Sequence, residues 1–222
     1  MTATTLPPDP TLDEMRAALG AEIPAHAVFD GWGDGALANA AAALGLDPDH
    51  ARLAFPDGTI GMIGAWYASL DSALAAAFPP ERIAAMKIRE RIEALVLARL
   101  ALAYPHREAA RSALAILARP RHAARAAKLG WQAADGMWRL AGDTATDLAH
   151  YTKRLTLSAV YAATLLIWLD DESERQAETR GFLQRRLADV MRFETFKAKL
   201  RPDPERMFSM TRFLGRLRYP AT

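Results

Sequence analysis

Residues 155–169 form a run of fifteen without a single charge, apolar on nearly every face of a helical projection. A helix of that kind has to be surrounded by others. A bilayer span takes about 20 apolar residues, so the run is expected to be a buried core helix and not a membrane crossing. Tyr161 and Trp168 stand one heptad apart within it and share a face. The rest of the chain fits a helical shell around this core. Hydrophobic residues make up 51% of the 222, Ala, Leu, Arg and Met are plentiful, and these are strong helix formers. No segment alternates apolar and polar residues, so no sheet is expected. The absence of cysteine removes disulfides, thiolate metal sites and thiol nucleophiles.

Gly and Pro punctuation divides the chain into helices expected at 11–20, 25–30, 34–44, 48–54, 58–78, 80–103, 106–118, 120–141, 145–170, 174–200 and 204–218. Gly142, with Asp143 and Thr144 behind it, is expected to close one helix and cap the next. Residues 1–10 are expected to be a disordered lead-in and do not have the pattern of a secretory signal. The short helices at 34–44 and 48–54, joined by Gly45-Leu46-Asp47, have helix-turn-helix spacing. Followed by a bundle, they resemble the architecture of TetR-type regulators. The expected fold is therefore all-α, a TetR-like helical bundle with a helix-turn-helix-like front (11–56), a bundle (57–201) and a C-terminal amphipathic helix (202–222).

Charge argues against DNA reading by this front. Residues 17–51 hold no Lys or Arg, and they hold the carboxylates of Glu22, Asp30, Asp34, Asp47 and Asp49. A duplex needs cations to displace its counterions. The glycines around Gly31-Trp32-Gly33-Asp34-Gly35 lack the preceding strand that a dinucleotide loop needs, and are expected to make a turn. Asp47/His50 and Asp147/His150 share an i, i+3 spacing, but the aspartates sit at helix starts and are expected to act as caps. No nucleophile elbow or Ser–His–Asp order is present, so no catalytic residue, metal or cofactor is assigned.

Three further features point to binding. In segment 204–218, Met207, Met210, Phe213, Leu214 and Leu217 fall within an arc of about 120°, with Arg212 and Arg216 opposite. This suits a basic helix lying on an anionic membrane surface, or a terminal helix docked on the bundle. In the core, the bulky residues of 58–78, 80–103 and 155–169 either pack solidly or wall an apolar cavity. In the second case Trp66, Leu70, Leu95, Tyr161, Leu165 and Trp168 line it. Near the turn at 135–154, aromatic, Met and charged residues are concentrated in the manner of a partner-binding hot spot.

Met137-Trp138-Arg139-Leu140-Ala141-Gly142-Asp143-Thr144-Ala145-Thr146-Asp147, then Tyr151-Thr152-Lys153-Arg154 and Ala159-Val160-Tyr161, resemble the signature of the ninth-numbered Coq protein family, accessory proteins of ubiquinone biosynthesis. Phe29-Asp30-Gly31-Trp32, Lys87-Ile88-Arg89-Glu90-Arg91 and Asp189-Val190-Met191 resemble bacterial members. The resemblance implies a TetR-like fold without nucleic-acid binding and a homodimer. It implies a hydrophobic cavity for an isoprenoid lipid or quinone intermediate, and a terminal helix that meets the membrane surface. It also implies a surface patch for the demethoxyubiquinone hydroxylase, which falls by position on Asp135, Met137, His150 and Tyr151. Relatives often carry Trp where His150 stands. The expected location is cytoplasmic, peripheral on the inner face of a bacterial cytoplasmic membrane. The expected role is presentation of the lipid to the hydroxylase, without catalysis. A ligand-responsive TetR-like regulator and an enzyme acting on a quinone precursor are the alternatives.

Overall fold

The computed structural model describes residues 6, 7 and 9–200, with side chains through 193. It divides into two compact units, 1–184 and 185–222. The first unit opens with α1 (Leu12–Asp30), started by a reciprocal cap in which Thr11 N–H donates to Glu14 Oε2 at 2.8 Å and Glu14 N–H donates to Thr11 Oγ1 at 3.3 Å. The expected break at 20–25 does not occur: α1 runs through both Gly20 and Pro24. The reason is packing. A Cβ on Gly20 would lie 2.7 Å from the backbone carbonyl of Ala65, so glycine lets α1 and the helix Gly58–Ala77 approach backbone to backbone.

The chain turns at Gly31 (φ +67°) into α2 (Asp34–Ala43), and at Gly45 (φ +68°) toward α3 (Pro48–Leu53). Asp47 caps α3 by accepting from the backbone of Asp49 at 2.8 Å and His50 at 3.1 Å. Trp32 is buried, and its indole N–H reaches the Ala109 carbonyl at 3.0 Å, tying the α1–α2 turn to the helix Arg107–Leu117. The glycines at 31–35 thus serve a turn, as expected.

Next come α4 (Gly58–Ala77), α5 (Pro80–Ala84), α6 (Ile88–Ala103), α7 (Arg107–Leu117), α8 (Ala123–Leu140), α9 (Leu148–Asp170) and α10 (Ala177–Leu200). The single helix expected over 80–103 is two. Lys87 is extended, its N–H donates to Glu90 Oε2 at 3.0 Å, and this starts α6 afresh. The carbonyls freed at the end of α5 are satisfied by Arg91, which donates to Ala84 and Met86 at 3.1 and 2.8 Å. No strand occurs among the described residues.

Within the first unit, α1 packs on α2 and α4, α4 on α6 and α8, and α8 on α9. Leu19, Ile23, Ile63, Trp66, Leu95, Leu100 and Trp168 are almost wholly enclosed. The second unit begins within α10, where Asp189 pairs with Arg186 at 2.9 Å and Arg192 at 3.6 Å.

The apolar run at 155–169 differs from expectation in one respect. Helix α9 buries Leu157, Val160, Tyr161, Thr164, Leu165, Trp168 and Leu169, but the opposite face is open. Leu148, Tyr151, Leu155 and Leu166 are 77%, 59%, 66% and 59% exposed. On a helical projection, Leu148, Tyr151, Leu155, Ala159, Ala162 and Leu166 fall within about 80° of one another. The run reads as apolar on every face because α9 is apolar both toward the core and toward solvent.

Candidate functional site at the α8–α9 junction

The site is built where α8 ends and α9 begins. Helix α8 closes at Gly142 (φ +87°), a conformation that favours glycine. The Asp143 N–H returns to the Trp138 carbonyl at 3.0 Å, and Arg91 from α6 donates to the Ala141 carbonyl at 2.8 Å. Asp143 and Asp147 are both expected as caps of α9. Asp147 alone does so, accepting from Ala149 N–H at 3.0 Å. The Asp143 carboxylate turns inward, where it receives Lys153 Nζ at 2.6 Å and Arg154 at 2.9 Å. Arg154 is 2% exposed. Its Nε donates to Asp135 Oδ1 at 2.5 Å, and Asp135 also pairs with Arg139 at 2.8 Å. One guanidinium thus joins α8, the turn and α9 through two carboxylates. Burial alone would raise the Asp143 carboxyl, but hydrogen bonds from Lys153 and Arg154 outweigh it and hold the group below its ordinary value. The Arg154 cation is held above its own, since Asp135 and Asp143 more than offset burial.

On this base lies an aromatic surface. The His150 and Tyr151 rings meet edge to face at 5.1 Å. Trp131, from α8, lies 6.1 Å from Tyr151 and 6.5 Å from His150. His150 Nδ1 sits 2.9 Å from the Ala145 carbonyl, so the ring is held by the turn. Trp138 is pinned beneath, with its indole N–H on the Lys153 carbonyl at 3.1 Å and Lys153 Nζ 5.4 Å from its ring centroid. Exposed Leu148 and Leu155 flank Tyr151 along α9.

Of the four residues expected to contact a partner, Tyr151 and His150 lie on this surface, and Asp135 is half-buried as a ligand of Arg154. Met137 is corrected: at 1% exposure it packs in the core below, because it lies on the inner face of α8 with Leu129, Ala133 and Ala134. The sequence reading missed Trp131, which supplies indole surface beside His150. The signal was present, since Trp131 stands one heptad before Trp138 on the same helix.

The six expected pocket residues, Trp66, Leu70, Leu95, Tyr161, Leu165 and Trp168, are all buried. They lie on α4, α6 and α9, and α6 packs against both of the others. Among them the structure places Arg99, also buried. It donates to Asp71 Oδ1 at 2.8 Å, to the Tyr161 hydroxyl, and to the Tyr67 carbonyl at 3.3 Å. A polar cleft of about 600 Å³ opens at the α9–α10 turn, lined by Tyr104, Arg107, Asp171, Glu172, Arg175 and Arg180 among others, and none of the six residues lines it. The membrane-facing set, Met207, Met210, Arg212, Phe213, Leu214, Arg216 and Leu217, lies outside the described residues. No helix among the described residues is long and apolar enough to cross a membrane.

An all-α bundle behind a short helix-turn-helix is the fold of TetR-type regulators. The crystal structure of a TetR transcriptional regulator from Nitrosomonas europaea superimposes with a TM-score of 0.61, over 82% of this chain and 99% of that one, at 23% identity. That likeness concerns the fold alone. Residues 123–194, which hold α8, α9 and the junction between them, match the COQ9 family model. The chain is 38% identical over 96 residues to the Xenopus laevis ubiquinone biosynthesis protein COQ9-B, covering 43% of this chain and 33% of that protein. It is 30% identical over 176 residues to human ubiquinone biosynthesis protein COQ9, covering 76% of this chain and 54% of that protein. This chain thus resembles the COQ9 family most clearly over α8, α9 and the junction between them, and it spans between about a third and about half the length of these relatives. The expected bacterial cytoplasmic-membrane location is corrected, since both relatives are named as mitochondrial proteins.

Proposed function

We propose that this chain acts in ubiquinone biosynthesis as a non-catalytic accessory protein, which holds an isoprenoid quinone intermediate and presents it to the demethoxyubiquinone hydroxylase. The observation that carries the proposal is the surface of Leu148, Tyr151 and Leu155 with Trp131 and His150. Leu148, Tyr151 and Leu155 are exposed and Trp131 and His150 half-buried beside them, the surface lies in the family-matched region, and it is fixed from beneath by the buried Arg154 network. Interfaces concentrate their energy in rigid aromatic and aliphatic anchors of this kind. The lipid arm of the proposal draws on the family resemblance and on the aliphatic and aromatic residues gathered on α4, α6 and α9. Residues 204–218 would meet the membrane surface, and the distal α9 face at Ala159, Ala162 and Leu166 would suit a second copy of the chain.

The test is capture of the purified hydroxylase by the full chain. Leu155→Glu is expected to abolish capture while leaving the thermal transition in place, and unchanged capture defeats the docking surface. Mass spectrometry of organic extracts of the purified chain should find an isoprenoid quinone, and extracts without any isoprenoid defeat the lipid arm.

The regulator reading loses support at α3. Arg52 is the one Lys or Arg in that helix, and it is paired with Asp49 at 2.5 Å. The carboxylates of 17–51 remain without a compensating Lys or Arg in that stretch.

A further inference from the structure

The buried cluster around Arg99 contains one group that the fold itself does not satisfy. The Tyr67 hydroxyl is enclosed and has no hydrogen-bond partner among the described residues. Buried polar atoms are nearly always paired, and an unpaired one is destabilising. Its surroundings are otherwise well furnished. The Arg99 guanidinium lies 5.5 Å from the Tyr67 ring centroid and 5.2 Å from that of Tyr161. The Tyr67 ring stacks on Trp66 at 5.3 Å, and Trp66 meets Trp32 at 5.5 Å.

We propose that Tyr67, beside Arg99 and Tyr161, is the head-group end of the lipid site, donating its hydroxyl proton to the carbonyl oxygen of a flat, uncharged ring of the quinone class. The inference rests on the lipid-binding reading above and names the chemistry of that site.

Charge selects this ligand class over an anionic one. Arg99 is neutralised by Asp71, its ion-pair partner at 2.8 Å. Burial raises both tyrosine hydroxyls above their ordinary value, so both stay protonated near neutral pH. The cluster therefore carries no net charge with which to hold a phosphate or carboxylate. It offers an O–H donor and flat aromatic surfaces, which suit a neutral ring with an acceptor oxygen.

The tail side follows from helix spacing. Leu70 lies three residues beyond Tyr67, Leu95 four before Arg99, and Leu165 four beyond Tyr161. Leu95 and Leu165 thus lie on the adjoining turn of the same face of their helices, Leu70 shares its turn with Asp71, and all three are buried. Polar head contacts and apolar tail contacts come from the same three helices. Asp71 retains 32% side-chain exposure, so the polar end lies at the edge of the core, where a ring could enter from outside.

The test is isothermal titration of the full chain with a benzoquinone bearing one isoprenyl unit. Farnesene serves as an oxygen-free isoprenoid and dihexanoyl phosphatidic acid as a phosphate-bearing lipid. Tyr67→Phe is expected to weaken quinone binding roughly fivefold, the worth of one neutral hydrogen bond, and to leave farnesene binding unchanged. Without ligand, the same variant should melt at the same temperature as the wild type or higher, because it removes an unpaired hydroxyl. A merely structural tyrosine would show neither the selective loss nor that combination. Equal quinone affinity in the variant and the wild type overturns the inference, as does phosphatidic acid binding more tightly than the quinone. Farnesene binding without quinone binding overturns the inference and leaves the lipid reading standing. If the wild type binds none of the three, both fall.

Discussion

Two arginines among the described residues lie in the interior, Arg154 at 2% exposure and Arg99 at 1%, and they are satisfied in different ways. Arg154 has two carboxylates, Asp135 and Asp143, and Asp143 takes Lys153 as well. Every member of that group is engaged, and together they fix the α8–α9 junction as one rigid support. Arg99 has one carboxylate and one tyrosine hydroxyl, and the second tyrosine beside it is left with its own hydroxyl unmatched. A saturated network suits a platform that must keep its shape while something docks on it. An unsaturated one suits a place where something is received.

The contrast is broken most severely at Arg154. Arg154→Met leaves Asp135 and Asp143 facing a buried apolar side chain. Removing one partner of a buried ion pair typically costs about 3–5 kcal/mol, so urea unfolding should show a loss of that order. Recovery of near wild-type stability in Arg154→Met would mean that the junction is held by packing alone. Arg99→Met should cost less, about 2 kcal/mol, because Asp71 is one-third exposed and water can take over its solvation. A cost equal to that at Arg154 would erase the distinction drawn here.

These two networks differ from what the sequence offered. The helical class was legible because Ala, Leu and Arg are abundant and no segment alternates. The α3 and α9 caps at Asp47 and Asp147 were legible because capping is local. Arg99 gave no sequence signal, since its partners Asp71 and Tyr161 are 28 and 62 residues away. Asp143 looked like a cap because its neighbours in sequence suggested one, while Lys153 and Arg154 on the following helix claimed it. The open face of α9 was hidden by composition: a run of apolar residues on all sides does not say which side is bare. Gly20 and Pro24 looked like a helix break, and only the close approach of Ala65 explains the glycine.

Acid should separate the junction from the Arg99 cluster more gently. Asp143 is held below its ordinary value of 3.8, and so is Asp171, which is pushed down to about 2 by hydrogen bonds from Ser173 and Thr179 that outweigh burial. A carboxylate depressed in the folded state contributes stability that is fully present above its unfolded value and is lost as pH falls through the folded one. Stability should therefore be flat near neutrality and fall from about pH 4 downward. Asp171 alone would account for a loss on the order of 2 kcal/mol as pH approaches 2. Urea midpoints measured at pH 7, 4 and 2.5 test this. Asp143→Asn should start lower at pH 7 and lose less on acidification, and an acid response identical to the wild type would mean that Asp143 is not held by Lys153 and Arg154.

The smallest effect on stability should come from the surface that the Arg154 network supports. Tyr151 is 59% exposed, and among the described aromatics its ring meets His150 and Trp131. Tyr151→Ala should therefore change unfolding free energy by about 0.5 kcal/mol or less, the usual range for surface positions. Partner capture should respond quite differently. An exposed ring held on a rigid base has little conformational entropy left to lose on docking, so its truncation should cost tenfold or more in affinity, about 1.4 kcal/mol. Combining Tyr151→Ala with Arg154→Met then measures the coupling between base and surface. If the base matters only by fixing the surface, the second substitution should remove little further affinity once Tyr151 is gone. Fully additive losses would show that Arg154 supports some other part of the interface, and the link drawn between the saturated network and docking would have to be moved away from Tyr151.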